Sequence, residues 1–236
     1  VNTHHHGDHT NGNGLLPPTT TIIGHERCRE LMLQAGPIGN IGVWEPVDWG
    51  NIKPIPPFVT FQDRLDVHVG DLRVELHHLG PAAHTTNDVV AWIPANKVLF
   101  TGDLIFNGGT PFVLMGSVRG SLEALDRLDE FGADVLVPGH GEPCGREAIA
   151  AVRSYLTFVW ETATSAHAAG ESPLEAAKAV DLGDFMDLTD RERIVGNLHR
   201  AYAEIEGAAP GELIDLAVAA GDMIAFNGGR PLRCLA

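Results

Sequence analysis

The chain has 236 residues, enough to bury a large core in one domain, and a formal net charge of −15 from 31 acidic and 16 basic residues. Proteins that bind phosphate backbones need clustered lysine and arginine, and the absence of a basic run argues against nucleic acid as a substrate. No stretch of about 18 apolar residues predicts a membrane-spanning helix, and three cysteines without paired spacing favour a reducing cytoplasm over a disulfide scaffold.

The segment His4-His5-His6-Gly7-Asp8-His9 places three potential imidazole ligands and one carboxylate close together in the sequence. In an extended segment, residues i and i+2 share a face, so His4 and His6 can bind one metal ion. The Gly7-Asp8 corner then turns the chain, which lets Asp8 and His9 reach a second ion. Imidazole and carboxylate ligands suit Zn²⁺, and also Fe or Mn. A surface histidine cluster or a purification tag is the alternative, although a tag would be a homopolymer.

The elements that follow are short strands, one helix and two hairpins. Residues 19–23 are β-branched and predict a strand, and residues 25–35 predict a short helix. Residues 36–57 are rich in Gly, Pro and Trp, and connections of that length often line a site. Trp44 is therefore a candidate for an apolar wall beside the metals, with packing as the alternative. Hairpins are predicted over residues 67–78 and 89–100.

Three further residues that can bind metal follow apolar strands. His84 comes shortly after residues 74–79, Asp103 follows residues 98–100, and His140 follows residues 135–137. Each of these residues alone could simply cap a turn. Loops at strand ends are nevertheless where sites are usually built, and the pattern recurs three times after the histidine motif. The sequence therefore predicts one metal site formed by His4, His6, Asp8, His9, His84, Asp103 and His140.

Helical spacing dominates from residue 121 onwards. Residues 121–131 are amphipathic, and further helices are predicted at residues 146–169, 173–180, 191–206 and 212–220. We expect residues 1–145 to form the catalytic domain and residues 146–236 to form a mainly helical part packed on the same domain. His199 lies on the helix predicted at residues 191–206 and would contact substrate if that helix covers the site; an ordinary packed histidine is the alternative.

Taken together, these motifs resemble the metallo-β-lactamase superfamily over residues 1–143. The resemblance implies an α/β fold of the α+β kind, a four-layer αβ/βα sandwich with the site at the rim between two mixed sheets. It also implies that His4, His6 and His84 hold one metal, that Asp8, His9 and His140 hold another, and that Asp103 bridges them. Strands precede this motif in the family, so we expect N-terminal strands to be missing from a chain that opens at Val1.

The ligand set predicts metal-assisted hydrolysis of an acyl bond, with Asp8 and Asp103 as catalytic residues. No G-x-S-x-G elbow or Walker loop offers a competing mechanism. Family members with the form Thr101-Gly102-Asp103 are associated with thioesterases, lactonases, glyoxalase-type enzymes and some nucleases. Thiolates and alkoxides leave more readily than amines, which favours a thioester or ester over a lactam. An iron-dependent persulfide dioxygenase and a non-enzymatic scaffold are the alternatives.

A narrower resemblance comes from residues 107–117 together with residues 83–88. It is to the metallo-β-lactamase-fold cyclase/thioesterases of type II aromatic polyketide pathways, such as that of actinorhodin. This implies a carrier-protein-bound polyketide that undergoes aldol cyclisation and thioester release, with Phe112 and Leu114 beside a flat guest. An acidic carrier protein would need a local basic patch, for which the candidates are Arg191, Arg193 and Arg200. A general lactonase or glyoxalase-type hydrolase is the alternative, and the sequence leaves a homo-oligomer open.

Overall fold

The computed structural model describes residues 1–36, 43–80 and 82–235. Within these ranges the strands are β1 (Ile23–His25), β2 (Val59–Phe61), β3 (Arg64–Val69), β4 (Leu72–His78), β5 (Val89–Ile93), β6 (Val98–Phe106) and β7 (Val135–His140). The helices are α1 (Gly7–Thr10), α2 (Glu26–Ala35), α3 (Val118–Glu130), α4 (Glu147–Ala169), α5 (Pro173–Ala179), α6 (Arg193–Ile205) and α7 (Leu216–Phe226). None of these helices combines the length and the apolar composition needed to cross a bilayer.

The strands form two sheets. β1 and β2 pair in parallel, while the larger sheet has the order β3-β4-β5-β6-β7. Its neighbours are antiparallel except β6 and β7, which run parallel and are connected through α3. Because β6 and β7 are parallel, their carboxyl ends lie at the same edge of the sheet, where Phe106 is the register partner of His140.

Two hydrophobic cores set the order of the layers. A small core lies between the two sheets and includes Phe61 of β2, Leu76 of β4 and Val89 of β5. The main core lies between the larger sheet and the helices that follow it, and it contains residues of β6, α3, α4, α6 and α7. Helix α2 packs on the outer side of β1 and β2. The layers are therefore helix, sheet, sheet and helices, which confirms the predicted four-layer α/β sandwich.

Several element boundaries differ from the prediction. The strand expected at residues 19–23 overlaps β1 only at Ile23. The backbone N–H of Thr20 donates to the carbonyl of Pro17 in a turn that precedes β1. Residues 37–42 of the predicted long connection lie outside the described residues. The last helix starts later and runs further than predicted, since the side chain of Asp215 caps its N-terminus by accepting from Ala217 and Val218.

The start of α3 depends on a residue from another helix. Ser117 is its N-cap and accepts from the backbone N–H of Gly120. The carboxylate of Glu204, in α6, accepts from the N–H groups of Val118 at 2.6 Å and Arg119 at 3.3 Å. A negative charge at a helix N-terminus satisfies free N–H donors and complements the helix dipole. Glu204 is only 8% exposed and thereby ties α6 to the first turn of α3.

We expect Glu204→Ala to lower the free energy of unfolding by about 1–3 kcal/mol, because it leaves the buried N–H of Val118 without an acceptor. The matched control is Glu206→Ala, whose carboxylate is 64% exposed and contacts His167 at 3.2 Å. Exposed ion pairs contribute little, so this variant should change the free energy by about 0–1 kcal/mol. Urea denaturation measures both, and equal losses would contradict the capping role of Glu204.

Candidate metal centre

Four separate segments bring the predicted ligands to one place. His4 and His6 lie in the chain just before α1, while Asp8 and His9 lie within that short helix. His84 lies in the connection between β4 and β5, and Asp103 is in β6. His140 ends β7. All seven residues predicted from the sequence thus converge at the edge of the larger sheet.

The first group consists of His4, His6 and His84. The Nε2 atoms of His4 and His84 lie 3.1 and 2.9 Å from Nδ1 of His6. The three ring nitrogens can therefore face one ion. Nδ1 of His84 is 2.5 Å from the carbonyl oxygen of Phe112, to which it donates its proton. This hydrogen bond uses the proton on Nδ1 and so leaves Nε2 as the ring nitrogen that can bind an ion.

The second group consists of Asp8, His9 and His140. The Nε2 atoms of His9 and His140 are 3.3 Å apart, and Oδ2 of Asp8 is 3.3 Å from both. The ring of Phe106 stacks on His140 at a centroid distance of 5.1 Å, with 9° between the planes. The side chain of Asp8 is 45% exposed, so this group forms the open side of the site.

Asp103 joins the two groups. Its Oδ2 lies 3.3 Å from Nε2 of His84 in the first group and 3.3 Å from Nε2 of His140 in the second. Its Oδ1 lies 3.1 Å from Nε2 of His9. Burial by itself raises the pKa of Asp103, but the surrounding imidazoles outweigh burial and hold this pKa well below its usual range. Asp103 is therefore an anion shared by both groups.

The histidines of the two groups differ in charge when no metal is bound. Burial lowers the pKa of His4 and of His6 well below the ordinary value, so both rings are neutral. Burial also acts to lower the pKa values of His9 and His140, but Asp103 and Asp8 raise them to about 10 and about 9. His4 and His6 thus offer neutral imidazole nitrogens, and the second group pairs imidazolium with carboxylate.

The residues fit divalent metal ions. Nδ1 of His84 is bound to the carbonyl of Phe112, so Nε2 is the nitrogen that faces Oδ2 of Asp103, at 3.3 Å. A converging donor set of imidazole nitrogen and carboxylate oxygen is typical of zinc, iron and manganese sites. Gly139 keeps the space around Asp103 open, because a Cβ atom there would lie 1.9 Å from Oδ1 of that carboxylate.

Three of the candidate substrate residues lie in or against the main hydrophobic core, and their contact with substrate stays a prediction. Leu114 is 8% exposed and belongs to the main hydrophobic core. Phe112 is partly buried, and its ring lies 5.8 Å from the guanidinium carbon of Arg193. Trp44 is partly buried against the same core and forms a bridge with Leu232. These contacts give Leu114 and Trp44 packing roles, and the contribution of Phe112 to the site is its backbone carbonyl.

His199 packs against α7, as in the alternative of an ordinary packed histidine, and its contact with substrate stays a prediction. Nε2 of His199 lies 2.8 Å from Oδ2 of Asp222 in α7. Side chains that are two residues apart on a helix point in directions that differ by about 200°. Since Asn197 faces the segment that contains Phe112, His199 faces the other way, towards α7.

Two of the three arginines in the predicted basic patch are not at the surface. Arg193 and Arg200 are buried, and of the three only Arg191 is exposed. Arg193 forms an ion pair with Asp190 at 2.8 Å, and its guanidinium lies 5.3 Å from the ring of Phe106. The polar face of α6 was not predicted from the sequence, although spacing by four and then three residues between polar side chains on an otherwise apolar helix signals such a face.

Comparisons with known proteins agree with this geometry. The model of the metallo-beta-lactamase superfamily matches residues 1–140. A linear primary-alkylsulfatase from a Pseudomonas species is 30% identical over 141 residues, which are 54% of this chain and 26% of that protein. A hydroxyacylglutathione hydrolase from Rhodospirillum rubrum is 27% identical over 137 residues, 58% of this chain and 45% of that protein. The matched region spans less than half the length of these relatives.

Solved structures of the same family are also similar. A metallo-beta-lactamase from Pontibacter korlensis has a TM-score of 0.54 at 23% identity, covering 66% of this chain and 67% of that one. The DIM-1 metallo-beta-lactamase has a TM-score of 0.53 at 20% identity, covering 67% and 68%. At these identities the likeness shows the fold alone. Since the family model covers more than half of its residues, this chain belongs to the metallo-beta-lactamase superfamily.

Proposed function

We propose that this chain is a hydrolase that binds two divalent metal ions, with Zn²⁺ as the first candidate, and cleaves an acyl ester or thioester bond. The observation that carries the proposal is the contact of one buried carboxylate, Asp103, with histidines of both donor groups. The residues that would hold the metals are His4, His6 and His84 for one ion, Asp8, His9 and His140 for the other, and Asp103 for both.

A pair of divalent cations supplies Lewis-acid polarisation of a carbonyl group and a hydroxide nucleophile at neutral pH. The two carboxylates of the chain would have different tasks beside it. Asp103 is 4% exposed and fixes the spacing of the two donor groups. Asp8 is 45% exposed at the open side of the site, where its Oδ2, 3.3 Å from Nε2 of both His9 and His140, would help to hold the second ion. Phe106 keeps the ring of His140 in plane beside it.

The substrate class follows from the leaving group and from the relatives. Thiolates and alkoxides need less help from a proton donor than amines do, which favours a thioester or ester over a lactam. Two relatives, from Rhodospirillum rubrum and Methylococcus capsulatus, are named hydroxyacylglutathione hydrolases, which supports an acyl substrate. The Pseudomonas relative is named an alkylsulfatase, so a sulfate ester is the second candidate.

Within the thioesters, an aromatic polyketide on a carrier protein is the narrower candidate. Its support is the resemblance of residues 83–88 and 107–117 to polyketide cyclase/thioesterases. Both segments lie at the site, because the first contains His84 and the second contains the carbonyl that binds it. Docking of a carrier protein would have to use a surface other than the expected arginine patch, since Arg193 and Arg200 are buried.

The metal content of the purified protein, measured together with hydrolysis of aryl thioesters, tests the proposal. We expect about two zinc ions per chain and turnover that a chelator abolishes. S-acyl glutathione, an alkyl sulfate and a lactam complete the substrate panel and separate the candidate classes. One iron per chain without hydrolysis of any of these substrates would contradict the proposal and favour the dioxygenase alternative.

We expect Asp103→Ala to lose metal and to lower kcat/KM by at least about a hundredfold, since even residues that only support a ligand are worth about 10–100-fold. Asp66→Ala is the matched control, because Asp66 lies on the surface strand β3 and pairs with Arg64. This control should keep full metal content and activity. An Asp103→Ala protein that retained both would refute the role of the shared carboxylate.

We also expect Gly139→Ala to lower the metal content per folded molecule, because its Cβ would lie 1.9 Å from Oδ1 of Asp103 and 2.8 Å from the carbonyl carbon of Gly102. The backbone cannot yield, so the carboxylate must move. Gly221→Ala in α7 is the control, since its added Cβ would have no described atom within 4 Å apart from its chain neighbours and the nearby backbone of its own helix. It should keep its metal and gain about 0.5–1 kcal/mol of stability. Equal metal content in the two variants would argue against this constraint.

A further inference from the structure

We propose that the buried polar face of α6, formed by Arg193, Asn197 and Arg200, positions His84 for its metal ion by fixing the backbone of residues 110–114. This inference rests on the proposed function, because it assigns a role towards the first metal ion. Asn197 is the central positioning residue. The face belongs to the helical part of the chain, beyond the residues that match the family model.

Three side chains spaced by four and three residues lie on one face of a helix. On α6 this face binds successive carbonyl groups of the segment after β6. Arg193 donates from Nη1 to the carbonyl of Thr110 at 3.0 Å. Arg200 donates from Nε to the carbonyl of Leu114 at 3.0 Å, and from Nη2 to the same oxygen at 2.9 Å. Both ends of residues 110–114 are thus bound to α6.

Asn197 holds the middle of the segment. Its Nδ2 donates to the carbonyl of Pro111 at 2.8 Å, and its Oδ1 accepts from the N–H of Val113 at 2.9 Å. The same Nδ2 donates to the hydroxyl of Tyr155 at 3.1 Å, which fixes the orientation of the amide. Asn197 is 0% exposed. It therefore clamps the peptide groups on both sides of Phe112.

The carbonyl of Phe112 remains free for His84. It accepts from Nδ1 of His84, and Nε2 of the same ring then lies 2.9 Å from Nδ1 of His6 and 3.3 Å from Oδ2 of Asp103. A hydrogen bond on the second ring nitrogen sets both the tautomer and the ring orientation of a metal-binding histidine. If the segment were free to shift, His84 would lose this partner. Asn197 thus acts on the metal through Phe112 and His84, without touching the metal ion.

The test uses Asn197→Leu, with Asn197→Ser as the milder variant in case the first folds poorly. Zinc affinity is measured by competition with a chromophoric chelator, and the tautomer of His84 in the metal-free protein by long-range ¹H–¹⁵N NMR. His84→Gln identifies the resonance. We expect His84 of the wild-type protein to show the Nδ1–H tautomer and His84 of both Asn197 variants to show a mixture of tautomers. In both variants, the zinc affinity of one of the two metal sites should fall by about tenfold or more.

Val159→Ala is the control for a merely structural effect, because Val159 is fully buried in α4 and its loss leaves a cavity in the main core. It should lower stability while keeping the His84 tautomer and the zinc affinity of wild type.

The inference is overturned if the Asn197 variants keep both the tautomer and the affinity of wild type while losing as much stability as Val159→Ala. If the wild-type protein bound no zinc, the proposed function would fail. The tautomer in the metal-free protein would still decide whether Asn197 positions His84.

Discussion

The arrangement of this protein depends on a carboxylate that is buried among imidazoles. Removing a charge from water is costly unless nearby groups compensate, and Asp103 is compensated by contacts with His84, His9 and His140 rather than by solvent. Those contacts require the ends of β6 and β7 to lie side by side, which the parallel pairing of the two strands provides. They also require Gly139, because any side chain at that position would occupy the place of the carboxylate.

Most of the site could be predicted from the sequence because its information is local. The residues from His4 to His9 combine several donors in one short segment, and the remaining donors each follow an apolar strand. Strand ends lie at sheet edges, so their convergence follows from the architecture once the strands are recognised. The hairpins and the long helices were predictable for the same reason, since alternation and helical spacing are properties of neighbouring residues.

The contribution of α6 could not be predicted in this way. Asn197 and its partner Val113 are 84 residues apart, and periodicity along one helix does not reveal which distant segment its polar face meets. Buried arginine is also rare, so Arg193 and Arg200 were assigned to the surface, where arginine is usually found. The partner of His199 could not be predicted for a related reason, because Asp222, which its ring contacts, lies 23 residues further along the chain.

The same contacts explain why substitutions in the helical part also affect the metal centre. Buried carbonyl groups need hydrogen-bond donors, and those of Thr110, Pro111 and Leu114 receive them from α6. A change that frees these carbonyls weakens the packing of α6 and, at the same time, releases the carbonyl that binds His84. Folding free energy and metal-site geometry are therefore coupled through one short segment. The region outside the family match consequently helps to build the site.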